Sequence, residues 1–322
     1  ILEIYEKFVG VDPLDVPMKI FPGMHYSMGG LWVDFEKDET SGGINWDSPR
    51  NQHTNIPGLF AIGEADYRYH GANRLGANSL LSCIFAGLVN AQGIRTWLGN
   101  LPHGSVDKVA ATVFDAEVAR HKAEYDALIA RDGDENPYLI HRELGEIMTR
   151  NCTVVRKNPE LETALNQVVD LTERCRNAAL SDRSTWTNQN LSFTRALGDM
   201  LLLARVIVKG ALLRNECRGA HYKPEFAIAA PSADDADTLK AEATEWCKKY
   251  QKQNEEWLKT TLAKHTDDGP EISYEPVDTS LTPPRPRTYG LKGAEIIDQV
   301  WKETIIGGTK PSRKKAAAAA DK

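Results

Sequence analysis

The sequence predicts an α/β plus α chain: a strand-and-turn segment closed by a long helix, then a helical bundle, then a small α+β unit. Three observations carry this. Residues 16–104 alternate short apolar runs with Gly, Pro and Asn turns. Residues 105–235 hold four helical patterns joined by short connections, the habit of antiparallel bundles. Residues 236–309 open with a helical pattern and pass into an extended run.

Element by element, residues 1–15 are helical in pattern and end at Asp12-Pro13. Met18–Phe21, Leu31–Phe35 and Leu59–Ile62 read as strands, and the Asp/Ser/Gly/Asn-rich stretch Lys37–Asn55 as a surface loop. From Ser79 to about Leu98 the period becomes helical, with Leu80, Ile84, Leu88 and Ala91 on one face. Val106–Arg131 reads as an amphipathic helix broken by Asp132–Pro137. Helices follow at about Ile140–Asn151, Pro159–Ala178 and Thr194–Glu216, then a connector at Gly219–Asp235 interrupted by Pro224 and Pro231. Ala236–Ala263 reads as helix, Glu271–Val277 as strand, and the prolines of Thr282–Arg287 as extended chain. Residues 310–322, basic and then alanine-rich, read as a disordered tail.

The 322 residues are 41% apolar and 26% charged, an ordinary globular balance with room for two or three packing units. The net charge of −6 gives no basic stripe for nucleic acid. The longest apolar stretch, Met200–Leu213, is broken by Arg205 and Lys209 and is too short to span a bilayer. The five cysteines are scattered without a paired spacing, which reads as reduced thiols rather than a metal site or disulfide framework.

The run from His70 to Leu81, HGANRLGANSLL, is the densest chemical signal. It sets Arg74 between two glycine-containing turns, where backbone can approach a ligand closely. Asn78-Ser79 suits a helix N-cap, and the free N–H groups of such an end attract negative charge. The planar fork of Arg74 can grip a carboxylate or phosphate bidentately. Residue by residue, this describes an anion site made of one arginine and one helix N-terminus.

The same run resembles the C-terminal flavin- and dicarboxylate-binding motif of the succinate dehydrogenase and fumarate reductase flavoprotein subunits. His25–Gly30 (HYSMGG) and Ile56–Ala65 (IPGLFAIGEA) match two further motifs of that family, in its order and at roughly its spacing. No GxGxxG follows a strand anywhere, so the resemblance covers about the second half of such a flavoprotein, and the expectation is a fragment. It implies that residues 1–15 end the capping region, 16–104 form the C-terminal part of an FAD-binding two-dinucleotide-fold domain, 105–235 the bundle, and 236–309 the C-terminal flavoprotein unit.

For single residues the resemblance implies that Arg74 and His25 bind the dicarboxylate. It makes Glu64 a ligand of FAD sugar hydroxyls, and brings the backbone N–H groups of Ser79 and Leu80 to the flavin's pyrimidine edge. His70 and Asn73 flank the arginine as weaker candidates that position it. No catalytic residue is assigned, because the covalent-flavin histidine and the proton-shuttling arginine of the family lie upstream of these motifs. Arg218 and His221 also match a family run, with a structural role in docking the bundle. The resemblance further implies hydride transfer between succinate or fumarate and FAD. Electrons would pass to an iron–sulfur subunit and a membrane anchor, with the flavoprotein peripheral on the cytoplasmic side of the membrane. Two alternatives stay open: a non-catalytic helical module that docks an iron–sulfur partner, and the related L-aspartate oxidase, against which the run at Pro283–Tyr289 argues.

Overall fold

The computed structural model describes residues 1–19, 26–280 and 282–306. It is helix-rich with one small sheet. The helices are α1 (Leu2–Val9), α2 (Asn78–Gly99), α3 (Ala111–Ala130), α4 (Pro137–Met148), α5 (Asn158–Cys175), α6 (Gln189–Leu213), α7 (Ala236–Trp257) and α8 (Ala294–Trp301). Strands β1 (Lys259–Lys264) and β2 (Glu271–Pro276) pair antiparallel, Lys259 opposite Pro276 and Lys264 opposite Glu271.

The packing of α4, α5 and α6 follows from side-chain spacing. On α6 the buried residues are Asn190, Thr194, Leu197, Leu201, Ala204, Val208 and Ala211, stepping three and four residues along one stripe. On α5 they are Leu161, Ala164, Val168, Leu171 and Cys175, with the same step. The two stripes meet and enclose Ile140 and Leu144 of α4. Asn136 and Asn188 cap α4 and α6 by accepting the N–H groups of Tyr138 (2.9 Å) and Leu191 (2.8 Å). Pro137 suits the first turn of α4, where its missing N–H is not needed. Outside the core, Arg174 joins Glu135 and Glu143, at 2.7 and 2.6 Å.

A second small core joins α7 to α8 through Ala243, Cys247, Ile297, Val300 and Trp301. The β1–β2 hairpin is bonded to two other parts of the chain. Arg214, just past α6, donates to the carbonyl of Lys259 at 2.8 Å. Trp32 Nε1 donates to Glu275 of β2 at 3.2 Å, and Lys37 pairs with Asp278 at 3.0 Å.

Several expectations are corrected. Leu31–Phe35 and Leu59–Ile62 are extended but form no ladder; they pair through single bridges, Leu31 with Asp66 and His53 with Phe60. Left-handed residues interrupt the register: Gln52 at φ 60°, Gly58 at 82° and Gly63 at 69°. The buried amide of Gln52 replaces ladder bonds, donating to Ala61 C=O and Asp66 Oδ2, both at 2.8 Å. The expected strand Met18–Phe21 lies partly outside the described residues, and the expected tail at 310–322 lies wholly outside them.

The helix expected from Val106 starts at Ala111, after a short turn at Val106–Lys108. The helix expected to run to Ala263 stops at Trp257, and from Lys259 onward the chain is β1. Thr260 and Thr261 favour extended backbone, and pairing with β2 overrides the helical pattern. Helix α8 was not expected.

On α2 the buried face is the small one. Ser82, Ala86, Val89 and Gly93 face inward, whereas Leu80, Ile84 and Leu88 are exposed. The small face lets chain approach closely: a Cβ on Gly93 would sit 3.1 Å from the Ser48 carbonyl oxygen. No helix of the described residues is long and apolar enough to cross a membrane.

Candidate functional site

The three motifs meet at the start of α2. Glu64 accepts the Ser27 N–H on Oε1 at 2.8 Å, joining the second motif to the first. Leu31 N–H donates to the Ala65 carbonyl at 2.8 Å, and Gly30 lies so close to Ala65 that a side chain there would collide with its carbonyl. Gly63 faces α2 from the other side, where a Cβ would be 3.1 Å from Cys83 Sγ. Glycines therefore set both contacts.

The third motif closes on the first through Tyr26. The His70 and Tyr26 rings meet edge to face with centroids 4.8 Å apart. His70 Nε2 and Ser82 Oγ are 3.1 Å apart, and Ser82 Oγ donates to the Ser79 carbonyl at 2.8 Å. Tyr26 Oη lies 3.5 Å from the same Ser82 oxygen. Burial pushes the Tyr26 phenol above its ordinary range, so it stays protonated at neutral pH. Arg74 is half-buried, with its guanidinium 5.5 Å from the Tyr26 ring centroid, within cation–π reach.

Of the sequence-derived candidates, Arg74, Glu64, Ser79 and Leu80 thus belong to one neighbourhood, with Glu64 and Leu80 exposed. His25 lies outside the described residues; its neighbour Tyr26 is the residue Arg74 approaches. The cap expected from Asn78-Ser79 is corrected. The N-cap residue is Ala77, held left-handed at φ 66°, and no side chain caps the helix. Asn78 and Ser79 are inside the first turn, where their N–H groups lack intrahelical partners.

Sequence reasoning missed Tyr26 and Ser82 as the bridge. Ser82 was detectable, since it sits one turn after Asn78; Tyr26 adjoins His25 but carries no signal of its own. Arg218 and His221 were expected to dock the bundle. Their turn contacts the arginine loop directly, Ala220 N–H donating to the Ala72 carbonyl at 2.9 Å. Two cavities, of about 400 and 560 Å³, are lined by residues outside this cluster.

The family model for the fumarate reductase flavoprotein C-terminus matches residues 141–289, and that for an FAD binding domain matches residues 1–80. The succinate dehydrogenase flavoprotein subunit of Bacillus subtilis is 45% identical over 294 residues, covering 91% of this chain. This chain belongs to the succinate dehydrogenase and fumarate reductase flavoprotein family. Another member, the fumarate reductase flavoprotein subunit of Haemophilus influenzae, is 31% identical over 294 residues, again 91% of the chain. Among solved members, a variant of the Escherichia coli quinol fumarate reductase flavoprotein superposes with a TM-score of 0.67. It is 28% identical, covering 90% of this chain and 43% of its own. The chain spans 44% and 42% of the two curated relatives, matching their C-terminal portion.

Proposed function

We propose that this chain forms the dicarboxylate-facing and flavin-facing part of a succinate dehydrogenase or fumarate reductase flavoprotein. The carrying observation is the convergence of Ser27, Glu64, Ser82 and Arg74 from three separate motifs onto the first turns of α2. In this reading Arg74 and His25 hold the carboxylates of succinate or fumarate. Arg74 offers a charge-assisted, two-point grip, each such bond contributing roughly 1.5–3 kcal/mol.

FAD fits the residues present. The first turn of α2 has no side-chain cap, and its N–H groups sit where a helix dipole favours negative charge. These groups, from Ser79 and Leu80, would meet the pyrimidine edge. Glu64 retains acceptor capacity beyond its bond to Ser27 and would take sugar hydroxyls. FAD, when bound, supplies the two-electron redox chemistry, while this chain orients the dicarboxylate and stabilises charge beside the ring.

Residues 16–104 would then be the C-terminal part of the flavin domain, preceded by the end of a capping region. Residues 105–235 and 236–309 would be the bundle and the C-terminal unit, available to an iron–sulfur partner. The complex would be peripheral on the cytoplasmic side of the membrane, held there by that partner and its anchor. The test is succinate-dependent bleaching of flavin absorbance in the full-length flavoprotein purified with its complex. Bleaching that saturates with succinate is expected, and a flavin indifferent to succinate and fumarate overturns the reading.

A further inference from the structure

The chain between α6 and α7 reaches the arginine loop with the tip of a two-residue turn. Arg218 and His221 face each other as an antiparallel bridge, Arg218 N–H donating to His221 C=O at 2.9 Å and His221 N–H to Arg218 C=O at 3.0 Å. Gly219 takes the first central position at φ 57°, a conformation that favours glycine. A Cβ on Gly219 would lie 2.5 Å from the Ala72 carbonyl oxygen, the same oxygen that accepts the Ala220 N–H. The tip can therefore be neither enlarged nor withdrawn without moving Ala72, two residues before Arg74.

The base of this turn is held from several sides. Glu216 is fully buried and accepts Arg214 Nε at 2.7 Å and Arg218 Nε at 2.8 Å. Arg218 also donates to Asn254 of α7 at 2.7 Å. His221 Nδ1 accepts from Arg156 at 2.7 Å, and Nε2 donates to the Arg214 carbonyl at 2.8 Å. An arginine can only donate and a carbonyl only accept, which fixes one neutral tautomer. Lys223, also fully buried, donates to the carbonyls of Ala211, Leu212 and Arg214 at 3.0–3.1 Å, at the C-terminus of α6 where a cation is favoured. Buried charges with this many partners resist displacement, since freeing either side leaves a charge uncompensated.

We propose that the Arg218–His221 turn is the positioning element for Arg74, fixing Ala72 and with it the backbone that presents the guanidinium to a dicarboxylate. This rests on the reading of Arg74 as a carboxylate clamp. Such a clamp is sensitive to placement, and an error of about 1 Å can cost about 100-fold.

The test uses the full-length flavoprotein in its complex, with malonate as a dicarboxylate probe read from the flavin absorbance. Gly219→Ala should weaken malonate about tenfold with flavin content unchanged. Arg74→Lys should weaken it too, and adding Gly219→Ala in that background should cost less than about twofold, because both act through one group. His221→Ala, which leaves the tip intact, serves if Gly219→Ala does not assemble. It should weaken malonate about threefold, and His221→Gln, which keeps an acceptor and a donor, should restore it. Unchanged affinity in both single variants, or full additivity with Arg74→Lys, overturns the proposal. If Arg74→Lys alone leaves malonate binding unchanged, the clamp reading itself fails and the positioning role falls with it.

Discussion

The guanidinium of Arg74 stands 5.5 Å from the centre of the Tyr26 ring, so a loop between two glycine turns faces a residue from a motif much earlier in the chain. An aromatic face stabilises a cation without neutralising it. The ring restricts where the guanidinium points.

Arg74→Lys in the full-length enzyme should therefore lower kcat/KM for succinate by roughly 10- to 100-fold while flavin content is kept. Lysine preserves the charge but not the planar fork, and the loss of one charge-assisted bond is of this size. Steady-state kinetics with a flavin absorbance ratio check it. Unaltered turnover would remove Arg74 from the substrate site.

The arginine loop was legible in the sequence because Gly71, Gly76 and the helical period after Ser79 are local signals. The bridge from Tyr26 to Ser82 was not, because those residues are 56 positions apart and meet only through the fold. The same reason hides β1. Lys259–Lys264 continues a helical pattern, and only the partner strand Glu271–Pro276 makes it extended. The inward face of α2 was not legible for a different reason. Apolar periodicity marks Leu80, Ile84 and Leu88, but close packing against the Ser48 and Asn51 carbonyls selects the small face containing Gly93.

Ala77 carries a backbone cost that can be measured. It is a non-glycine residue at φ 66°, immediately before α2. A left-handed conformation costs an L-residue about 1–2 kcal/mol. Ala77→Gly should leave stability unchanged or raise it by up to about 1 kcal/mol, the gain being reduced by the greater freedom of glycine in the unfolded chain. Ala77→Val should lower it by about 1–2 kcal/mol, since a β-branched side chain tolerates this conformation less well. Urea midpoints of the three proteins decide it, and a Val variant as stable as wild type would contradict the strain.

His221 should make the fold sensitive to acid. Burial first, and then the nearby Arg156, Lys223 and Arg214 charges, push its imidazole from 6.5 down to about 4. The group is neutral when folded, so between these values the unfolded chain binds the extra proton. The stability is complete above pH 6.5 and is lost as pH falls towards 4, by up to about 3 kcal/mol. His221→Gln keeps both hydrogen-bond functions without titrating. The difference in unfolding free energy between pH 7 and pH 4.5 should shrink by about 2 kcal/mol in that variant. An identical pH dependence would show that His221 is not the sensor.

Leu201 is fully buried where α6 meets α4 and α5. Leu201→Ala should cost about 2–5 kcal/mol through lost transfer energy and an unfilled cavity. Chemical denaturation followed by helical circular dichroism checks this. A loss below about 1 kcal/mol would mean that the site collapses around the missing side chain.

The last prediction concerns flavin retention by these 322 residues expressed by themselves. The contacts proposed for Glu64, Ser79 and Leu80 reach the sugar and the pyrimidine edge. A pyrophosphate is normally held by a glycine-rich turn leading into a helix, and the sequence contains no GxGxxG after a strand. Beside the proposed ring site, Leu80 is 72% exposed and Leu81, Ile84 and Leu88 are each 62% exposed, so one wall of the pocket is open to water. Water there weakens every polar contact that a dry site would strengthen. The chain should therefore purify with little flavin and show no succinate-dependent dye reduction, while its helicity stays high because the α4–α6 contacts are local. Flavin absorbance per mole of chain, dye reduction and circular dichroism on one preparation give the answer. Stoichiometric flavin with turnover would mean that these residues build a complete site.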